Sequence, residues 1–336
     1  MSSDTSSVAG PPELAQLPGI LALMSDRIAL LEARTAHLYS MSAAALSRQT
    51  VDLDDGFVGI RTPQGWVVIG QEEFRSVLYL ADGQFFHEPG TAEVIRLLIQ
   101  RGDRVVDIGA HIGLLSLVMA EAVGPEGHVY VFEPVARSAE AARRSLIANG
   151  FADRCSIEVV AIAAEAGQSR FYRGHNSMMG SLYDLAEGAD YSIVETRTLE
   201  QSLDPSVPIS LIKIDVEGAE VIVLSGMQRI VADNDDILVI AEFGPSHLKR
   251  IPISADVWLQ SFTDLGLTEI HVIDELSRTV RLLDRAELEQ VTSTNLLFSK
   301  PGNSRLPSLP GSDDQAAASA VADVAQPQMK QGNPES

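Results

Sequence analysis

Two acids stand where apolar runs give way to turns, and their spacing suits the binding of a nucleoside cofactor. In Val105-Val106-Asp107-Ile108-Gly109-Ala110-His111-Ile112-Gly113 an apolar strand carries Asp107 into a turn of small residues, which opens an apolar helix. Gly109 and Gly113 let the backbone turn sharply and let a ligand approach without meeting a Cβ. A second strand, His128 to Phe132, ends in Glu133-Pro134, with Glu133 placed 20 residues beyond Gly113. A carboxylate at that place accepts both hydroxyls of an adenosine ribose, and ligands sit at the carboxyl ends of such strands. The plain alternatives are that Asp107 only braces the glycine turn through backbone N–H groups and that Glu133 only complements a helix dipole.

The dinucleotide fingerprint G-x-G-x-x-G would need glycine where this chain has His111 and Leu114. A histidine side chain obstructs the close approach of a pyrophosphate. S-adenosylmethionine carries no phosphate, and acidic surroundings suit its sulfonium cation. The expected cofactor is therefore S-adenosyl-L-methionine, held by Asp107, Gly109, Ala110, His111, Gly113 and Glu133, with Ala163 at the end of the third strand added to the set.

A third motif, Ile212-Lys213-Ile214-Asp215-Val216-Glu217-Gly218-Ala219-Glu220, follows in order. Together with Asp107 to Gly113, Val131-Phe132-Glu133-Pro134 and Asn149-Gly150, it resembles the FkbM family of methyltransferases over about residues 86–300. His111 is a departure, because the family usually has asparagine there. The resemblance implies methyl transfer from S-adenosylmethionine to a hydroxyl on a sugar, a polyketide or another small metabolite.

An in-line displacement at a methyl group asks the protein to align the reactants and to take the hydroxyl proton. On a strand of period two, Asp215 reaches the carboxyl end on the side opposite Ile212 and Ile214. Asp215 and Glu217 are the candidates for orienting or deprotonating the acceptor. Glu217 and Glu220 share a helical face, and the competing role for both is to favour the helix N-terminus. Lys213 is expected to pair with a nearby acid. The insertion Gly174-His175-Asn176-Ser177-Met178-Met179-Gly180 has the glycines of a mobile loop. His175 is a candidate base, although an exposed loop histidine is the preferred reading, and Asn176 and Ser177 are candidates for substrate binding. Glu220 and Glu242, the latter ending the fifth strand, are further candidates for the acceptor. No histidine or carboxylate spacing specifies a metal, and none is expected.

Five nearly continuous apolar runs, RVVDIGA, HVYVFEP, SIEVVAIA, LIKIDVE and ILVIAEF, must position these groups. Between them lie the helical segments 112–123, 135–149 and 216–233. Strands apolar on both faces are covered on both faces by helices. The fold class expected is α/β, a Rossmann-like class I methyltransferase fold with a mostly parallel central sheet, plus an N-terminal helical and β extension. The boundaries expected are a disordered 1–12, an extension at 13–85, the methyltransferase domain at 86–300 and a disordered tail at 301–336. A heptad-like seam at Leu17, Leu21, Met24, Ile28, Leu31 and Leu38 marks a helix within residues 14–38. It packs on its own domain in the preferred reading, and on a partner or a second copy in the other.

Asp and Glu total 46 against 25 Lys and Arg, a formal charge of −21, which repels phosphate backbones and argues against a nucleic-acid partner. The single cysteine, Cys155, excludes an internal disulfide framework. No run spans a bilayer and the N-terminus lacks the pattern of a signal peptide, so the expectation is a soluble, cytoplasmic protein. Two other classes share parts of the pattern. An NAD(P)-dependent oxidoreductase would share Glu133 but needs the missing glycines, and a non-catalytic binding module would not need Asp107, Glu133 and Asp215 intact.

Overall fold

The computed structural model describes residues 24, 27, 28, 31, 50–62, 65–73, 88–174, 180–184, 190–249, 251 and 253–306. The chain divides into two compact units, Met1–Thr50 and Val51–Ser336. In the first, Met24, Ile28 and Leu31 are helical. Leu17, Leu21 and Leu38 lie outside the described residues.

Strands β1 (Thr50–Leu53), β2 (Phe57–Thr62) and β3 (Gly65–Gly70) form a small sheet. The second unit then runs α1 (Pro89–Leu98), β4 (Arg104–Ile108), α2 (Leu114–Val123), β5 (His128–Phe132), α3 (Ala136–Ala148), β6 (Cys155–Glu158), β7 (Ala161–Ile162), β8 (Gly167–Tyr172), β9 (Tyr191–Arg197), α4 (Leu199–Ser202) and β10 (Leu211–Ile214). It continues with α5 (Glu220–Ser225), α6 (Gln228–Asp233), β11 (Leu238–Phe243), α7 (Pro245–Leu248), α8 (Ala255–Thr263), β12 (Glu269–Asp274), β13 (Thr279–Leu282) and β14 (Thr294–Ser299).

The central sheet has eight strands in the order β13-β12-β14-β11-β10-β4-β5-β6. From β6 to β11 neighbouring strands are parallel, and β14 inserts antiparallel between β11 and β12. This is the class I methyltransferase fold expected from the motifs. The chain leaves β4 outward through β5 and β6, then returns to β4's other edge with β10. The crevice where the direction reverses is the ligand place in open α/β sheets. The register sets Lys213 beside Asp107 and Ile214 beside Ile108.

Side chains alternate between the faces of these strands. Val106, Ile108, Ile212, Ile214, Val239, Ala241 and Phe243 enter one apolar core with Trp258, Leu259 and Phe262 of α8. Asp107, Lys213 and Glu242 occupy the alternate positions and face the other way.

Three expected elements differ. The run SIEVVAIA is cut after Glu158, and Ala161–Ile162 join a separate sheet, β7-β9-β8. The helix expected over 216–233 becomes α5 and α6, broken at Gly226 and Met227. A Cβ on Gly226 would lie 2.1 Å from the Ala163 carbonyl oxygen, so the bend brings backbone against backbone. Residues 301–306, assigned to the tail, pack on the domain instead: Asn303 and Leu306 are buried, and the Arg305 guanidinium donates to Asp103 at 2.5 and 3.0 Å and to the Leu98 carbonyl at 3.0 Å.

The hairpin of β2 and β3 lies on α3 as part of the same unit. Asn149 clasps it, accepting from the Trp66 N–H at 2.9 Å and donating to the Trp66 carbonyl at 2.6 Å. Arg137 and Arg144 lie over the Phe57 ring. No helix among the described residues is long and apolar enough to cross a membrane.

Burial alone would raise the Asp103 carboxyl, but hydrogen bonds from Arg305 and the Gln100 N–H outweigh it and hold it below the usual range. Removing the guanidinium strands a mostly buried carboxylate. Arg305→Ala is expected to cost about 2–4 kcal/mol in urea unfolding, and Arg305→Lys to restore only part, because an ammonium cannot reproduce the two-pronged contact. An unchanged midpoint for Arg305→Ala would show that residues 301–306 carry no weight in the fold.

Candidate active site

A cavity of about 370 Å³ opens at the carboxyl ends of β4, β5, β10 and β11. Its walls are apolar, from Ile108, Ile112, Leu115, Phe132, Val160 and Leu182 among others, and its polar groups are mostly carboxylates.

The first turn is built from backbone constraints. Gly109 has φ +79° and Gly113 φ +81°. A Cβ on Gly109 would lie 1.8 Å from the Asp215 carbonyl oxygen, so the turn after β4 touches the turn after β10. The Asp215 N–H donates to the Ile108 carbonyl at 2.9 Å and fastens the two together. His111 has φ +52°, in the left-handed region. Asparagine, aspartate and histidine are the non-glycine residues that tolerate this best, so histidine is a conformationally compatible replacement there.

Glu133 lies at the cavity's other end, 5% exposed. One carboxylate oxygen accepts from the His111 N–H at 2.9 Å and the other from the Val135 N–H at 2.8 Å. It therefore joins the glycine turn to the start of α3.

Asp107 is fully shielded and accepts from Ser116 Oγ of α2 at 2.5 Å. Burial pushes its carboxyl up to about 6, with Asp215 and Glu88 adding to the rise and Ser116 and Lys213 opposing it. Lys213 is wholly buried, with Nζ 3.3 Å from Asp215 Oδ2. Burial would lower its ammonium, but Asp215, Glu88, Glu242 and Asp107 together raise it, so it stays charged. Glu242 is pushed up to about 10 by burial and by the nearby Asp215.

Glu217 follows Asp215 on a turn with φ +54°, and its Oε2 is 3.0 Å from Nε2 of His247 on α7. Glu220 does not reach the cavity. It is 1% exposed, accepts from the Gly218 N–H at 3.0 Å and from Trp258 Nε1 at 3.2 Å, and so braces the turn against the aromatic core.

Of the expected site residues, Asp107, Gly109, Ala110, His111, Glu133, Asp215, Glu217 and Glu242 line this cavity. Three do not. Glu220 is the brace just described. Gly113 makes room for Ala142 of α3, whose Cβ would be 2.9 Å from an added one, so its smallness serves helix packing. Ala163 is one step past the wall formed by Val160, Ala161 and Ile162, and its N–H is spent on the Arg197 carbonyl at 2.8 Å. His175, Asn176 and Ser177 lie outside the described residues, while Gly180 and Leu182 from the end of that insertion line the cavity. Sequence reasoning passed over Glu88, Lys213 as a lining group, and His247. The first and last lack any motif, and Lys213 was read only as a partner for an acid.

Residues 107–267 match the family model described as the methyltransferase FkbM domain. This stretch is a methyltransferase FkbM domain. Its first residue is Asp107, and it contains the Glu133 and Asp215 turns. Local similarity extends to two curated relatives, both named protein-L-isoaspartate O-methyltransferase. That of Ignicoccus hospitalis is 49% identical over 53 residues, covering 16% of this chain and 25% of the relative. That of Aeropyrum pernix is 36% identical over 96 residues, covering 26% and 36%. The matches thus span about a quarter to a third of those relatives' lengths. Among solved structures, a SAM-dependent O-methyltransferase from Thermotoga maritima superposes with TM-score 0.38 at 16% identity, covering 72% of this chain and 77% of that one. A methyltransferase from Geobacter sulfurreducens gives 0.36 at 16%, covering 64% and 80%.

The raised Asp107 carboxyl has a consequence for stability. Between its unfolded value near 3.9 and about 6, the folded protein holds a proton that the unfolded chain has lost, so stability falls as pH rises through that window. Asp107→Asn removes the titration. The stability of the variant relative to the native protein is expected to climb between pH 4 and 6, by up to roughly 3 kcal/mol, in urea unfolding of the cofactor-free protein. Parallel pH profiles would contradict the shift.

Proposed function

We propose that the protein is an S-adenosylmethionine-dependent methyltransferase acting on a hydroxyl of a sugar, a polyketide or another small metabolite. The observation that carries this reading is one cavity lined by a nucleoside-type carboxylate, Glu133, after β5 and by the carboxylates Asp215 and Glu217 after β10, strands that flank β4 on opposite sides. Its volume falls in the range of small-ligand sites, roughly 300–1,000 Å³. The residues fit the cofactor. Glu133 stands at the end of β5 among the lining residues, where a carboxylate can meet ribose hydroxyls, the positive-φ glycine turn brings backbone to the ligand without a Cβ, and the carboxylates along the cavity suit a sulfonium. When bound, S-adenosylmethionine supplies an electrophilic methyl group on a good leaving group.

The chain's own task is then alignment and proton removal. Apolar walls exclude water from the transfer line. Lys213 Nζ lies 3.3 Å from Asp215 Oδ2 and steadies that carboxylate, and Asp215 or Glu217 takes the hydroxyl proton as the oxygen attacks. Glu242, at the end of β11, lines the same cavity and can orient an acceptor oxygen. His111 occupies the turn where a nicotinamide dinucleotide would bring its pyrophosphate, so the oxidoreductase alternative gains nothing from the geometry. The curated relatives are named as O-methyltransferases, which supports an oxygen acceptor, although they match over a minor part of their length.

Calorimetric titration of S-adenosylmethionine is expected to show micromolar binding to the native protein and at least tenfold weaker binding to Glu133→Ala. A folded native protein that binds none would overturn the proposal. Once an acceptor is found among sugar and polyketide hydroxyls, Asp215→Ala and Glu217→Ala are each expected to be tested for turnover. The loss from removing the proton acceptor should be about 10²-fold or more. If both variants kept full turnover, neither carboxylate would be the base.

A further inference from the structure

Glu217, Glu242 and His247 come from three separate segments: the turn after β10, the end of β11 and the short helix α7. Each offers one ligand atom, and these atoms all lie within 4.8 Å of one another. Linear spacing gave no hint of a metal because no two of the three share a helix or strand.

We propose that these residues form a divalent-metal site at the acceptor end of the cavity, built for a first-row transition ion of the manganese or zinc kind. The inference rests on the methyl-transfer reading for its purpose but not for its geometry. One imidazole with two carboxylates is a mixed nitrogen and oxygen set. Calcium and magnesium favour oxygen ligands alone, whereas imidazole draws manganese, iron, cobalt and zinc. Metal–ligand distances of about 2.0–2.2 Å put neighbouring ligand atoms roughly 3 Å apart, and the Glu217 Oε2 to His247 Nε2 separation is 3.0 Å. Closing Glu242 onto the same centre asks for side-chain movement only.

The place is built to hold the imidazole. A Cβ on Gly244 would stand 2.8 Å from the His247 ring, and one on Gly218 would stand 3.3 Å from the His247 Cβ, so the ring lies against two stretches of bare backbone. His247 is 8% exposed and stands behind the wall, while Glu217 and Glu242 line the cavity. A metal between them would keep its remaining positions toward the cavity. Charge argues the same way: Glu88, Asp107, Asp215, Glu217 and Glu242 all line the cavity, and Lys213 is the only lysine or arginine among the described lining residues.

Three protein ligands leave room for two acceptor oxygens, so the site selects an acceptor with two adjacent oxygens, such as a vicinal diol. The metal would draw electron density from the bound hydroxyl, its proton would pass to Asp215, and the resulting oxygen would attack the methyl carbon as the carbon–sulfur bond breaks.

The test uses the metal alone. Metal-stripped full-length protein is titrated with Mn²⁺, followed by calorimetry and by loss of the free-ion electron paramagnetic resonance signal. The expected result is one ion per chain, bound at micromolar strength, and weakened at least thirtyfold in Glu242→Gln and in His247→Gln. Asp235→Asn, a fully exposed acid away from the cavity, serves as the surface control and should leave the affinity unchanged. Binding that survives both ligand substitutions would be diffuse attraction to an acidic surface and would overturn the site. So would the absence of stoichiometric binding to native protein that takes up S-adenosylmethionine. Should one variant fail to fold, Glu217→Gln replaces it. Failure to bind S-adenosylmethionine counts against the methyltransferase reading and leaves the metal titration readable.

Discussion

A fully buried ammonium organises this molecule. Lys213 sits in the middle of the central sheet, where an uncompensated charge would cost several kcal/mol. Four carboxylates make it tolerable, and they come from four parts of the chain: Glu88 at the entry to α1, Asp107 on β4, Asp215 after β10 and Glu242 on β11. The dependence runs both ways, since Lys213 opposes the rise that burial imposes on Asp107 and Glu242. Strand register makes this possible by setting Lys213 against Asp107 on neighbouring parallel strands. The interaction that holds the polar middle of the sheet is thus also the floor of the cavity.

Around that floor, backbone contacts do the positioning. The turn after β4 and the turn after β10 touch through Gly109, and Glu133 draws the glycine turn toward α3. The Glu133 and Asp215 turns are therefore tied to one another through the backbone of the glycine turn. Gly180 and Leu182 complete the wall from a separate part of the chain.

The parts of the site legible in the sequence are those written within one strand and its turn. Asp107 with Gly109, Glu133 with Pro134, and Asp215 with Glu217 each carry their own local signature, and alternation along β10 separates Lys213 from its apolar neighbours. What escaped depends on partners distant in sequence. Glu220 reads as an acceptor-binding group or an acid favouring the helix N-terminus, yet Trp258, 38 residues on, takes it into the core. Gly113 reads as a ligand-facing glycine, but Ala142 decides its role. His247 has no local pattern and acquires meaning only beside Glu217. Arg305 lies in a stretch whose composition reads as a tail, and its bond to Asp103 spans 202 positions. Composition describes what a segment prefers on its own, and each of these residues is governed by a contact that composition does not contain.

The antiparallel strand β14 lies between β11 and β12 although it follows both in the chain. During synthesis the parallel half of the sheet can assemble as it emerges, because each new strand finds an earlier one waiting. β11 reaches its outer neighbour only when residues 294–299 leave the ribosome, and until then β12 and β13 can form no more than a detached hairpin. The acid-rich floor, whose Glu242 lies on β11 opposite Asn295, therefore has an open flank until β14 is made. A nascent chain stalled before β14 would present the apolar outer edge of β11 without its antiparallel neighbour.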